Sequence, residues 1–205
     1  MRVNHVKTKQ NPKPIVMIIN ALYHQAPDAI QLEFDWIEQA KLDPQKFGRL
    51  YNKYYDQIYR YVNQRVECAD LAADVTSQVF FKAFCNLHKY QFKGVPFGSW
   101  LYRIAKSEIY QAFRDQNKQQ TSNFDTLDFA TFFDSYHEED SEENIKRLQL
   151  CLKELKVGEF EIIRLRFYEK LSFKEIGDVL EISENNAKVK CFRSIAKLKK
   201  LYFNS

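Results

Sequence analysis

The sequence predicts an all-α protein: two small helical domains joined by a flexible acidic linker, the C-terminal one a helix-turn-helix domain. Three observations carry this prediction. The 205 residues include only five glycines and five prolines, while helix formers such as Lys, Leu, Glu, Gln and Ala are common. Apolar residues recur three and four positions apart through two long stretches, the spacing of one helix face. Between those stretches, residues 116–144 carry one cation against eight anions and lose the period. The flanking blocks are basic, with eleven cations against six anions over 46–115 and fourteen against eight over 145–205. Such a distribution suits two modules that meet one polyanion across a spacer that does not.

The expected boundaries are an N-terminal extension at 1–33, a first helical domain at 34–115, the linker at 116–144 and a second domain at 145–205. In the extension, "PIVMIINALY" follows a basic start but is interrupted by Asn20 and followed by a poor cleavage site, so export is not expected. Met17 is an alternative start. No segment approaches the roughly 18 apolar residues of a membrane span, and the expected location is cytoplasmic, without membrane insertion.

In the first domain, "FDWIEQAKLDPQKFGRLYNKYYDQIYRYVNQRV" reads as a helix, a turn at Asp43 and Pro44, and a longer helix with Phe47, Leu50, Tyr51, Tyr54, Ile58, Tyr61 and Val62 on one face. A third helix follows in "ADLAADVTSQVFFKAF", with Asp70 as the expected N-cap and Leu71, Val75, Val79, Phe80, Ala83 and Phe84 as its apolar positions. Gly94, Pro96 and Gly98 mark "QFKGVPFG" as a loop, and Ser99 is the expected cap of the helix "WLYRIAKSEIYQAFRDQ". In the linker, Phe124, Leu127, Phe129, Phe132 and Phe133 are the apolar residues able to dock elsewhere. Four helical segments follow from about Asn144.

The last two of these fit a helix-turn-helix. In "SFKEIGDVLEISENNAKVK", Ile176, Val179 and Leu180 give the first helix an apolar face, Gly177 permits close approach, Ile182 fills the turn and Ser183 caps the next helix. Ala187 and Cys191, four apart, face inward. Asn185, Asn186, Lys188, Val189, Lys190 and Arg193 then point outward, offering amides for adenine, cations for guanine or phosphate and a methyl-bearing side chain for thymine. An ordinary helical hairpin with solvated cations fits the same pattern. The macrodipole alone accounts for Lys197, Lys199 and Lys200 at the helix end.

Covalent chemistry is not expected. The four cysteines, Cys68, Cys85, Cys151 and Cys191, form no Cys-x-x-Cys pair, the four histidines do not cluster with them, and no cofactor or metal is expected. The acidic run from Glu138 to Glu143 has no histidine at metal spacing, which argues against a nuclease or recombinase.

Four stretches in order, "FGRLYNKYYDQIYRYV", "AADVTSQVFFKAF", "FGSWLYRIAKSEIYQAFRD" and "LKELKVGEFEIIRLRFYEKLSFKEIGDVLEISENNAKVKCFRSIAKLKKL", resemble the extracytoplasmic-function (ECF) group of bacterial RNA polymerase sigma factors. The resemblance implies that Asp74, Ser77, Gln78 and Phe81 grip the polymerase β′ clamp, and that the second domain reaches the β flap. It implies that Tyr90, Lys93, Phe97, Arg103, Lys106, Ser107, Gln111 and Arg114 meet the melted minus-10 element, where a cationic groove and aromatic faces hold unstacked bases. It further implies that Lys174, Ser183, Asn185, Asn186, Lys188, Val189, Lys190 and Arg193 read the minus-35 element. Trp100, Leu101 and Ile104 belong to the core on this reading. The family has Gly in the turn where this chain has Glu181. Implied partners are core RNA polymerase, promoter DNA and an anti-sigma factor; the alternative is a helix-turn-helix regulator that does not occupy the sigma position.

Overall fold

The computed structural model describes residues 27–117 and 142–204. Residues 1–26 and most of the expected linker, including Phe124, Leu127, Phe129, Phe132 and Phe133, lie outside the described residues. Every regular element among the described residues is helical.

The first module consists of α1 (Pro27–Leu42), a short 3-10 turn (Pro44–Phe47), α2 (Gly48–Asn63), α3 (Ala69–Cys85) and α4 (Phe97–Asn117). The Asp43 side chain caps the turn by accepting from the Gln45 amide at 3.1 Å, and Pro44 follows where its missing N–H costs nothing. On α2, Leu50, Tyr54, Ile58, Tyr61 and Val62 are buried as the spacing predicts; Tyr51, expected with them, is 38 % exposed at the edge of the stripe, its ring against Tyr55 and Phe80. On α3, Ala72, Val75, Thr76, Val79, Phe80 and Ala83 are buried against α2 and α4; Leu71 is half-buried, and Phe84, expected on the same face, is exposed at its edge with its ring against Phe47.

Four local expectations are corrected. The N-cap of α3 is Cys68, which has extended backbone and no side-chain capping bond; Asp70 lies inside the first turn. α4 begins at Phe97, two residues before Ser99, which is buried within the helix. The first module also reaches back past residue 34, because α1 starts at Pro27 and Glu33 is only 2 % exposed. The ends of the expected linker are likewise helical, since α4 continues to Asn117 and the next helix starts at Glu142.

The second module contains α5 (Glu142–Lys153), α6 (Val157–Ile163), a π-helical turn (Arg164–Tyr168), α7 (Phe173–Leu180) and α8 (Glu184–Asn204). Leu152, Leu155, Phe160 and Ile163 form a small core of its own. A wider hydrogen-bond ring, from the Glu169 amide to the Arg164 carbonyl at 3.0 Å, marks the π turn and leaves Arg164, Leu165 and Arg166 all buried. The two modules pack on one another. Ile162, Leu165, Ile176 and Val179 join the apolar cluster built by α2, α3 and α4, and α7 lies against α4.

Candidate nucleic-acid and polymerase interfaces

The helix-turn-helix is built as its residues require. Ser172 accepts from the Glu175 amide at 3.2 Å while Glu175 accepts from the Ser172 amide at 2.8 Å, a capping box that starts α7. Glu181 ends α7 in the left-handed conformation, at φ 55° and ψ 43°. A Cβ on Gly177 would stand 2.8 Å from the Ile182 carbonyl oxygen, so only glycine permits this turn to close. Ser183 accepts from the Asn186 amide at 3.2 Å at the start of α8.

Ala187 and Cys191 are fully buried beneath α8, and burial pushes the Cys191 thiol up to about 11, so it stays protonated. Ser183, Asn185, Asn186, Lys188, Val189, Lys190 and Arg193 are exposed, as the spacing implies. Lys188, Lys190 and Arg193 make no ion pair among the described residues. The partly exposed ring of Phe192, 6.1 Å from that of Phe173, is an apolar neighbour the sequence reading passed over. Lys197 is not simply solvated: it pairs with Glu159 at 2.6 Å, and that bond holds the Glu159 carboxyl below its ordinary value.

On α3, Asp74, Ser77, Gln78 and Phe81 are exposed along one stripe at helical spacing, above the buried Val75, Val79 and Phe80. Phe81 is 64 % exposed, an aromatic ring held in solvent amid polar residues.

The third surface, the loop after α3 and the outer face of α4, differs most from expectation. Phe97 is fully buried and Tyr90 nearly so, their rings packed edge to face at 5.2 Å with Trp100 against both. Neither presents a ring to a base in this structure. They fail as open stacking faces because they form the floor on which the loop sits. Burial, with Glu33 and Asp178 nearby, pushes the Tyr90 hydroxyl far above its usual range. Leu101 is buried and Ile104 half-buried, both as expected. Ser107 and Arg114 are exposed, with Lys106 and Gln111 half-buried. Gln111 donates to Asp115 at 2.9 Å and accepts from Arg114 along the same helix.

Several of the expected DNA contacts are held across the modules. Lys93 pairs with Asp178 at 2.7 Å, Arg103 lies 3.9 Å from Asp178 and 3.7 Å from Glu181, and Lys174 donates to the Gly94 carbonyl at 2.7 Å. The helix-turn-helix therefore covers part of the loop expected to meet the minus-10 element. A groove of about 270 Å³ between the modules has Lys106 from α4 and Lys190 from α8 on its walls, above Ile109, Phe113 and Phe160.

Beneath these contacts runs a buried polar seam. Arg65, at the end of α2, donates to both oxygens of Glu161 at 3.1 and 3.3 Å, lies 3.9 Å from Glu169 and stacks 3.5 Å above the Tyr61 ring. Tyr61 donates to Glu161 at 2.9 Å, Tyr102 donates to Glu169 at 2.8 Å, and Arg164 donates to Gln64 at 2.8 Å. Burial alone would raise Glu161, but Arg65, Arg164 and the Tyr61 hydroxyl hold its carboxyl below the ordinary value. Burial dominates at Glu169 and raises it, and at Arg164, aided by Arg65, it lowers the guanidinium to about 10. Of the seam residues only Tyr61 was singled out from the sequence, and as an apolar face residue; the charged ones have their hydrogen-bond partners 96 to 100 positions away, or 67 for Glu169 and Tyr102.

Comparison with known proteins places the chain. The sigma-70 region 2 family matches residues 50–119 and the sigma-70 region 4 family matches residues 145–198, together more than half of the chain. The protein therefore belongs to the sigma-70 family of bacterial RNA polymerase sigma factors. Its curated relatives put it in the ECF group. It is 29% identical to the ECF RNA polymerase sigma factor BldN of Streptomyces coelicolor over 158 residues, 76% of this chain and 60% of BldN. It is 27% identical to the ECF RNA polymerase sigma factor SigM of Bacillus subtilis over 154 residues, 75% of this chain and 93% of SigM. Two solved structures share the fold. CnrH, in complex with the cytosolic domain of CnrY, matches with a TM-score of 0.59 at 20% identity, over 84% of this chain and 98% of that one. The sigma factor RpoE of Bartonella quintana, in complex with the anti-sigma factor NepR, matches with a TM-score of 0.52 at 15% identity, over 77% and 96%.

Proposed function

We propose that the protein joins core RNA polymerase and directs promoter recognition, promoter melting and transcription initiation. The observation that carries this reading is the pairing, in one chain, of an exposed α3 stripe with a helix-turn-helix whose outer face is cationic and makes no ion pair among the described residues. A helix-turn-helix regulator has no need of the first; a sigma factor needs both.

In this reading Asp74, Ser77, Gln78 and Phe81 meet the β′ clamp, and the second module contacts the β flap. Asn185, Asn186, Lys188, Val189, Lys190 and Arg193 enter the minus-35 major groove, with Ser183 and Lys174 at its edge. Lys93, Arg103, Lys106, Ser107, Gln111 and Arg114 line the path of the minus-10 strand, with Tyr90 and Phe97 as its supporting floor. Melting is then a binding effect, in which captured bases offset the loss of stacking. Because Lys93, Arg103 and Lys174 are tied across the modules, DNA capture requires α7 to move off α4 and phosphate to replace Asp178 and Glu181. RpoE, which shares the fold, is in complex with the anti-sigma factor NepR, and this supports an anti-sigma partner for this chain as well. The working site is cytoplasmic, and among the described residues no helix is long and apolar enough to cross a membrane.

The test is to add the protein to sigma-free core polymerase and map initiation across a random promoter library. Selected start sites with a shared minus-35 and minus-10 sequence support the reading. Duplex binding without complex formation transfers it to the regulator class.

A further inference from the structure

Glu33 stands outside both family matches, on α1, and is the most buried acid of the first module at 2 % exposure. Donors from two later helices converge on it. One carboxylate oxygen accepts from the Tyr54 hydroxyl at 2.5 Å and the Lys53 ammonium at 2.8 Å, and the other accepts from the Phe97 amide at 2.6 Å. That amide belongs to the first turn of α4, whose N–H groups have no partner within their own helix. A full negative charge there is favoured by the helix dipole and forms a charge-assisted bond.

The neighbouring geometry leaves this contact little slack. A Cβ on Gly98 would stand 2.6 Å from the Tyr54 ring, so α4 starts flush against the same tyrosine that Glu33 holds. Phe97 in turn packs against Tyr90 and Trp100, closing the loop from 90 to 97 that carries Lys93. Arg103 projects from the next turns of α4.

We propose that Glu33 is a positioning residue for minus-10 capture: through Phe97 and Tyr54 it fixes the start of α4, and so places Lys93 and Arg103 along the strand. This rests on the minus-10 role given above to the loop and α4.

Glu33→Gln keeps the volume but turns an amide donor toward either the Phe97 N–H or the Tyr54 and Lys53 donors. The full-length protein is assembled with bacterial core polymerase and given two probes. One is a single-stranded DNA pool with a randomised hexamer, enriched on the wild-type holoenzyme; the other is a minus-35 duplex enriched in the same way. Glu33→Gln is expected to weaken capture of the single strand about tenfold, as loss of a charge-assisted hydrogen bond implies. Its affinities for the duplex and for core polymerase should stay within about twofold, since neither surface contains this contact. Tyr54→Phe, which removes one donor and keeps the ring, should weaken strand capture by about threefold. Ile58→Val, a core change on α2 away from the clamp, controls for general loss of stability. Wild-type strand capture by Glu33→Gln and Tyr54→Phe overturns the proposal, as does an equal loss in Ile58→Val. If the wild-type holoenzyme enriches no strand while still binding core and duplex, the minus-10 reading fails and the positioning role falls with it.

Discussion

The outer face of α8 and the seam between the modules are both rich in charge, yet they hold it in opposite ways. Lys188, Lys190 and Arg193 stand in water with no ion pair among the described residues, while Arg65, Glu161, Arg164 and Glu169 are enclosed and bonded across the modules. An exposed cation costs little to keep and is free to exchange water for phosphate. A buried one is held by its partners, and separating the set strands charge in a poor solvent. The difference divides the labour: α8 is open to solvent, and the seam fixes how the two modules pack.

Removing one side of the seam is the hardest way to break this comparison. Arg65→Ala leaves Glu161 and Glu169 buried without their main cation and is expected to destabilise the protein by about 3 kcal/mol in urea unfolding. Lys188→Ala, equal in formal charge change, should stay within about 0.5 kcal/mol. Similar costs for the two would erase the distinction. Gly177→Ala comes next, with an expected loss of about 2 kcal/mol because the new Cβ meets the Ile182 backbone at 2.8 Å. Duplex binding by gel shift should fall with it, since the turn that orients α8 cannot close.

On α8 itself, Lys190→Ala with Arg193→Ala should weaken minus-35 duplex binding about tenfold and lower the salt slope by about 2, with core polymerase binding retained. Unchanged duplex affinity would remove this face from the interface. The smallest effect runs in the stabilising direction. Glu181→Gly relieves the left-handed strain at the turn and should raise stability by about 1 kcal/mol in the same unfolding assay, the exposed contact with Arg103 being worth little.

The sequence made α8 legible and left the seam dark, for a physical reason. Helical spacing reports which side of a segment is covered, so Ala187 and Cys191 inward and Asn185, Asn186, Lys188, Val189, Lys190 and Arg193 outward could be read directly, whereas the α3 stripe from Asp74 to Phe81 was implied by the family resemblance. Turn chemistry was equally local: Gly177 and Ser183 act within a few residues of themselves. Spacing does not report which other segment does the covering. The Phe97 amide takes its acceptor from Glu33, 64 positions earlier, and Lys93 takes Asp178, 85 positions later. Ser99 was a reasonable cap by residue type, and lost to a carboxylate no local pattern could bring there. Tyr90 and Phe97 were misjudged in the same way, because aromatic rings in a glycine-rich loop look available until the packing of the loop on Trp100 is known.

The central claim is that one chain carries a polymerase-binding stripe on α3 and a promoter-reading face on α8. Its most direct test is the affinity of labelled protein for sigma-free core polymerase, measured for the wild type, for Phe81→Ala and for the Lys190→Ala, Arg193→Ala double variant. Tight binding that drops about tenfold or more in Phe81→Ala, as for a central interface aromatic, and is unchanged in the double variant is the predicted result. Absence of binding by the wild type, or an equal loss in both variants, would contradict it.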